Sequence, residues 1–210
     1  MAFFRYLVLA LVALSFQAHA QWQEGTHYER LGSNVSVAPS EEGIEVVEVF
    51  WYGCPHCYSL KPVIEAWEQD MADDVNFILL PAALGRTWEP HAYAFYASEA
   101  LGAFDQTHDA LFDALARDRR QLDTPEKLAE FLSGHGVDEE AFLKEYKGFG
   151  VKARVQRAQS VIRGARLTGV PAMLVAGKYK TNATLAGGHE AMMDVVDYLV
   201  EKERSERAQQ

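Results

Sequence analysis

Gly43-Ile44-Glu45-Val46-Val47-Glu48-Val49-Phe50-Trp51-Tyr52-Gly53-Cys54-Pro55-His56-Cys57-Tyr58 is the stretch that decides the fold of this chain. Its apolar residues from Ile44 to Tyr52 fall on both parities, as in a central strand covered on both faces. Past Gly53 the period changes. Leu60, Val63, Ile64, Trp67 and Met71 recur at helical spacing and predict a helix from about Pro55 to Met71, kinked at Pro62, which lacks a backbone donor. Val75 to Leu80 reads as a second strand, stopped by Pro81. Strand, helix and strand within ~35 residues make a right-handed βαβ unit.

Outward from this unit, Trp88 to Leu167 is helical almost throughout. Its aromatic positions, among them Tyr93, Phe95, Tyr96, Phe104 and Phe112, are expected to form a core of their own. Thr124-Pro125-Glu126 looks like an N-cap followed by proline at the first helical position and an acidic first turn. Asp138 looks like another start, and Gly134, Gly136 and Gly148 like stops. Ala172 to Ala176 then leads through Gly177-Lys178 to Tyr179–Leu185, a hairpin signature. His189 to Glu201 reads as a closing helix, and the polar tail from Glu201 to Gln210 as liable to fray. The sum is an α/β fold: a sheet domain from residues 21–87 and 168–210, with an all-helical domain, 88–167, inserted into it.

Arg5 followed by the apolar run Tyr6 to Phe16 and by Ala18-His19-Ala20 has the form of a cleaved export signal covering residues 1–20. The run is shorter than the ~20 residues of a membrane-spanning helix. The mature chain is expected to begin near Gln21 and to reside in an oxidising compartment, where free cysteines are unusual unless they exchange electrons or bind metal. The formal charge is -10 over 210 residues, and the basic residues are scattered, which argues against nucleic acid or an anionic membrane surface as partner.

Cys54 and Cys57 are the only cysteines. At a strand-to-helix turn Cys54 stands at a helix N-terminus, where unpaired N–H groups and the helix dipole favour a thiolate. Pro55 suits the first turn, and His56 adds a polarisable, sometimes cationic neighbour. Cys54 is therefore the expected attacking sulfur and Cys57, one turn further in, the resolving thiol. A purely structural disulfide across so short a loop stabilises little. A metal site at Cys54, His56 and Cys57 lacks a second ligand pair at zinc spacing, and Tyr58 stands where covalent haem attachment needs histidine; no metal is expected.

The motif from Phe50 to Tyr58, the placement of the helical insert, and Gly169-Val170-Pro171-Ala172-Met173 followed by Gly177-Lys178-Tyr179 together resemble the DsbA family of periplasmic thiol-disulfide oxidoreductases. The resemblance covers nearly the whole mature chain. It implies a thioredoxin fold, a periplasmic location and an enzyme that donates its Cys54–Cys57 disulfide to reduced, unfolded exported proteins; a monomer is the default oligomeric state. It also implies reoxidation by a quinone-linked membrane enzyme of the DsbB type, and no soluble cofactor. Thiol pKa values of ~3.5 for DsbA and ~7 for thioredoxin correspond to about 95 mV of the ~150 mV between their potentials.

The resemblance further implies that Val170-Pro171 is a cis-proline loop lying against the cysteines and offering backbone hydrogen bonds to an extended substrate. It implies that Glu48 is a buried acid moving the proton of the resolving thiol. Some relatives pair that acid with a lysine on the next strand, but residues 75–80 contain none. Glu45 reads as a solvated strand residue, His91 as a helix cap or a residue at a helix start near the active site, Trp51 and Tyr52 as core or the edge of a substrate groove, and Tyr58 as packed on its helix. An isomerase or reductase of the same fold, or a non-enzymatic binding or chaperone module with an incidental disulfide, are the competing readings.

Overall fold

The computed structural model describes residues 22–37 and 43–209, so the expected export signal lies outside the described residues. Its strands are β1 (Glu29–Arg30), β2 (Ile44–Phe50), β3 (Val75–Pro81), β4 (Ala172–Val175) and β5 (Tyr179–Thr181), in one sheet of order β1-β5-β4-β2-β3. All seven residues of β2 are buried, as a strand with apolar side chains on both faces must be. The strand runs parallel to β3, from Ile44↔Val75 to Phe50↔Pro81, and antiparallel to β4. Helix α1 (Pro55–Gln69) links β2 to β3 and continues through Pro62. The strand ends on Pro81, one residue further than expected, and Pro81 pairs with Phe50 at the close of the ladder, which an edge strand tolerates.

Between β3 and β4 run α2 (Glu89–Ala100), α3 (Phe104–Phe112), a π-helical turn (Asp113–Arg117), α4 (Pro125–Ser133), α5 (Glu139–Tyr146) and α6 (Phe149–Gly164). Both expected caps form: Thr124 accepts from the N–H of Lys127 and Asp138 from that of Ala141. Gly148 directly follows the C-cap of α5 at Lys147 and is at the same time the N-cap of α6. The aromatics of this segment do not keep a separate core. Phe95 and Phe112 lie 5.7 and 5.4 Å from the ring of Phe50, and one apolar cluster runs from β2 through to Phe142 and Val151.

Three further expectations are corrected. The strand after the hairpin turn ends at Thr181, because Asn182 caps the Leu185 N–H and starts a one-turn helix, α7 (Ala183–Ala186). The last helix, α8 (His189–Arg207), runs past Glu201. Its final turns are anchored: Glu203, buried, accepts from Lys178 at 2.7 and 2.9 Å, Tyr179 donates to Glu206 at 2.9 Å, and Arg204 pairs with Asp74. Glu45 is buried instead of solvated, since the Ser36 hydroxyl and the Val37 N–H donate to its carboxylate.

Candidate active site

The turn that joins β2 to α1 closes around Gly53. A Cβ there would lie 2.3 Å from the indole of Trp51, so no other residue fits without moving that ring. Trp51 is itself held from the helical segment. It stacks on Trp88 at 4.4 Å and 2°, and its Nε1–H donates to Nδ1 of His91 at 2.9 Å. Because indole only donates, His91 must carry its proton on Nε2, which then donates to the Leu122 carbonyl at 3.0 Å. Burial holds the His91 pKa below the usual imidazole range, in keeping with that neutral tautomer. His91 is thus a buried strut under Trp51 and not a cap.

Cys54 is the N-cap of α1, with Pro55 in the first turn. Its sulfur accepts from the N–H of Cys57 at 3.3 Å, and its S–H points at the Val170 carbonyl at 3.7 Å. The Val170–Pro171 peptide is cis and directly precedes β4. Hydrogen bonding from the Cys57 side chain, then from the backbone N–H groups of Cys57 and His56, and the charge of His56, lower the Cys54 pKa to about 6 against the opposing effect of burial. Cys57 is fully buried, and burial, reinforced by the adjacent Cys54, pushes its thiol far up. One sulfur is primed as a nucleophile while its neighbour must carry a proton when released. His56 is exposed and lines, with Arg166, Val170, Pro171 and Lys180, a cleft of about 550 Å³ beside Cys54.

Glu48 is buried in β2 on the face it shares with Ile44 and Val46, which pack with Leu60 and Ile64 of α1. It therefore lies beneath the cysteine helix. Burial, followed by repulsion from Glu68 and Cys54, raises its carboxyl to about 8, and Lys61 acts the other way. A second cavity, of about 390 Å³, reaches Glu48 between α1, β3 and the helices of the insert, and Lys61 and His108 line it too. The Tyr52 hydroxyl and Nδ1 of His108 are 2.9 Å apart, and burial lowers His108 to about 4.

Cys54, Pro55, His56, Cys57, Val170 and Pro171 converge at the ends of β2 and β4, with Glu48 below them. Tyr58 does more than pack, since its hydroxyl donates to Asp113 at 2.7 Å. Sequence reasoning missed Lys61 and His108, and, although it named Trp51 and His91, it missed the chain that joins them to Leu122. Lys61 carried a signal: four residues after Cys57 on a helix it must share that residue's face.

A sequence model of the family described as a DSBA-like thioredoxin domain matches residues 84–199. Thiol:disulfide interchange protein DsbA of Azotobacter vinelandii is 44% identical over 200 residues, covering 93% of both chains. The protein of the same name from Pseudomonas aeruginosa is 41% identical over 196 residues, 93% of this chain and 92% of that one. Among solved structures, the crystal structure of Pseudomonas aeruginosa DsbA superposes with a TM-score of 0.84 at 41% identity, over 89% of this chain and 97% of that one. The oxidoreductase DsbA from Xylella fastidiosa gives 0.82 at 34% identity, over 88% and 98%.

Proposed function

Since the chain belongs to the DsbA-like thioredoxin family, we propose a division of labour among its residues for the thiol-disulfide oxidoreductase activity that this membership carries. The enzyme is a dithiol oxidase that donates its Cys54–Cys57 disulfide. A substrate thiolate attacks Cys54 Sγ; the Cys54–Cys57 bond breaks, and its electron pair leaves on Cys57 Sγ, which takes up a proton from Glu48. A second substrate thiolate then attacks the substrate sulfur of the mixed disulfide, and Cys54 departs as the thiolate. Two electrons pass from substrate to enzyme, and the substrate gains the disulfide.

The observation that supports this assignment is the asymmetry of the pair: Cys54 at the helix mouth, lowered to about 6, above a buried Cys57 held protonated. Pro55 and His56 shape the helix start. The Val170 carbonyl and Pro171 form the edge on which an extended substrate docks. Residues 21–87 and 168–210 make up the catalytic unit and 88–167 its helical insert. No cofactor beyond the cysteine pair is needed for this half of the cycle. The substrates are reduced, unfolded exported proteins met by a monomer in the periplasm, where the leader-like residues 1–20 would send it. Reoxidation falls to a quinone-linked membrane enzyme of the DsbB type.

Equilibration with glutathione tests the reading. An oxidase is expected near about -120 mV, a reductase near about -270 mV, and an inert structural disulfide below about -300 mV. Cys54→Ser should abolish oxidation of a reduced peptide, whereas Cys57→Ser should accumulate mixed disulfides. Substrate oxidation surviving in Cys54→Ser would overturn the choice of nucleophile.

A further inference from the structure

The strand next to β2 carries no ionisable residue beside Glu48, yet the buried acid has a cation within reach from another direction. The cavity that reaches Glu48 is walled by Lys61, Glu65 and Glu68 of α1, Glu99 of α2, His108 and Asp109 of α3, and the uncharged Phe77, Ile78 and Leu79 of β3. Lys61 is the one cation among these described residues. Its ammonium bridges outward to Asp109 across the cavity and to Glu65 at 3.8 Å, and is only 19% exposed. It also lies over the ring of Phe112 at 5.7 Å. The side chain is thereby held at the wall of the cavity instead of sweeping through solvent, and the same cavity is lined by Glu48.

Four carboxylates, with Cys54 above, would by themselves oppose any negative charge on Glu48. A proton donor that cannot bear the resulting charge is a poor donor. We propose that Lys61 is a positioning residue for the proton of Glu48, stabilising the carboxylate while Cys57 is being released, and that the cavity is the route by which Glu48 recovers its proton from solvent. The inference rests on the oxidase reading above. In the step concerned, the Cys54–Cys57 bond breaks, Cys57 Sγ keeps the electron pair and takes the Glu48 proton, and Glu48 becomes a carboxylate facing the Lys61 ammonium. Water at the cavity mouth then returns one proton to Glu48. His108 stays neutral throughout, hydrogen-bonded to Tyr52, and lines the wall without relaying charge.

The test is the pH profile of single-turnover oxidation of a reduced dithiol peptide by the oxidised protein, with rates divided by the thiolate fraction of the peptide. Wild type, Lys61→Met, Lys61→Arg, Glu48→Gln and the double variant Lys61→Met/Glu48→Gln are compared. Lys61→Met is expected to slow release of Cys57 by ~3- to 10-fold at neutral pH and to move the alkaline limb up by ~0.5–1 unit, while Lys61→Arg keeps both. In the Glu48→Gln background Lys61→Met should have no further effect. An unmoved limb in Lys61→Met, or the same fold loss with and without Glu48, would overturn the role of Lys61 while leaving the oxidase reading intact. A wild-type protein that fails to oxidise the peptide would sink both.

Discussion

Protonation of Cys54 should be visible in the redox potential itself. With the Cys54 thiol at about 6, against 9.0 for an ordinary thiol on the same scale, the reduced protein at pH 7 gains about one pK unit of ionisation, or ~1.4 kcal/mol and ~30 mV. Measured from thioredoxin, the reference behind the ~95 mV of the family values, the gain is only about 20 mV. The pH dependence carries a sharper signature. Below pH 6 reduction consumes two protons per two electrons and the potential should fall by about 59 mV per pH unit. Between 6 and 8 only Cys57 takes a proton, because Cys54 is released as thiolate, and the slope should halve to about 30 mV per unit. Above that range Glu48 begins to ionise. The perturbation is Cys57→Ala, which deletes the largest source of the lowering, the hydrogen bond from the Cys57 side chain. Followed by ultraviolet thiolate absorbance, the Cys54 midpoint should climb by about one unit or more, and Cys57→Ser, which keeps a donor, should hold it lower. A wild-type midpoint near 8.5, or an unbroken slope of about 59 mV through pH 7, would refute the reasoning.

Three other outcomes are expected. Glu48 ionises near 4.5 in an unfolded chain and at about 8 in the fold, so its contribution to stability is full below pH 4.5 and is lost as pH rises toward 8. At pH 7 the loss is about 3 kcal/mol, and urea denaturation of the reduced protein should show Glu48→Gln more stable by about that amount, with the gain vanishing at pH 4. Gly53→Ala drives a Cβ into the Trp51 indole; a loss of about 1–3 kcal/mol is expected, read by thermal unfolding, together with a change in tryptophan fluorescence as the stack on Trp88 opens. Glu203→Ala removes the buried carboxylate shared by the partly exposed Lys178 and Arg207, leaving Lys178 with Glu206 at 3.8 Å, and should cost about 1–2 kcal/mol in urea.

The central strand, the motif helix and the two capped helices of the insert were legible because each rests on local signals: parity, period, and a side chain that satisfies a nearby N–H. The strand after Gly177 was misread for the same reason in reverse. Tyr179 to Leu185 has strand-like composition, but Asn182 offers a cap that composition does not register. The fate of α8 was not legible locally at all. Its last turns are polar in sequence, and only folding reveals that Lys178, Tyr179 and Asp74 wait for them. At the site, the cysteines, the proline pair and Glu48 stood out by type and spacing. Lys61 and His91 did not, since a lysine on an amphipathic helix and a histidine near a helix start are ordinary surface residues until a partner 48 or 31 residues away defines them.

The contact between Cys54 and the Val170 carbonyl joins residues 116 positions apart. In a growing chain, then, both sulfurs emerge long before the segment that will lie over them, and β4, the strand that completes the flank of β2, arrives with that segment. Until residue 171 is in place the molecule is an uncovered pair of reactive thiols, open to capture by its own siblings.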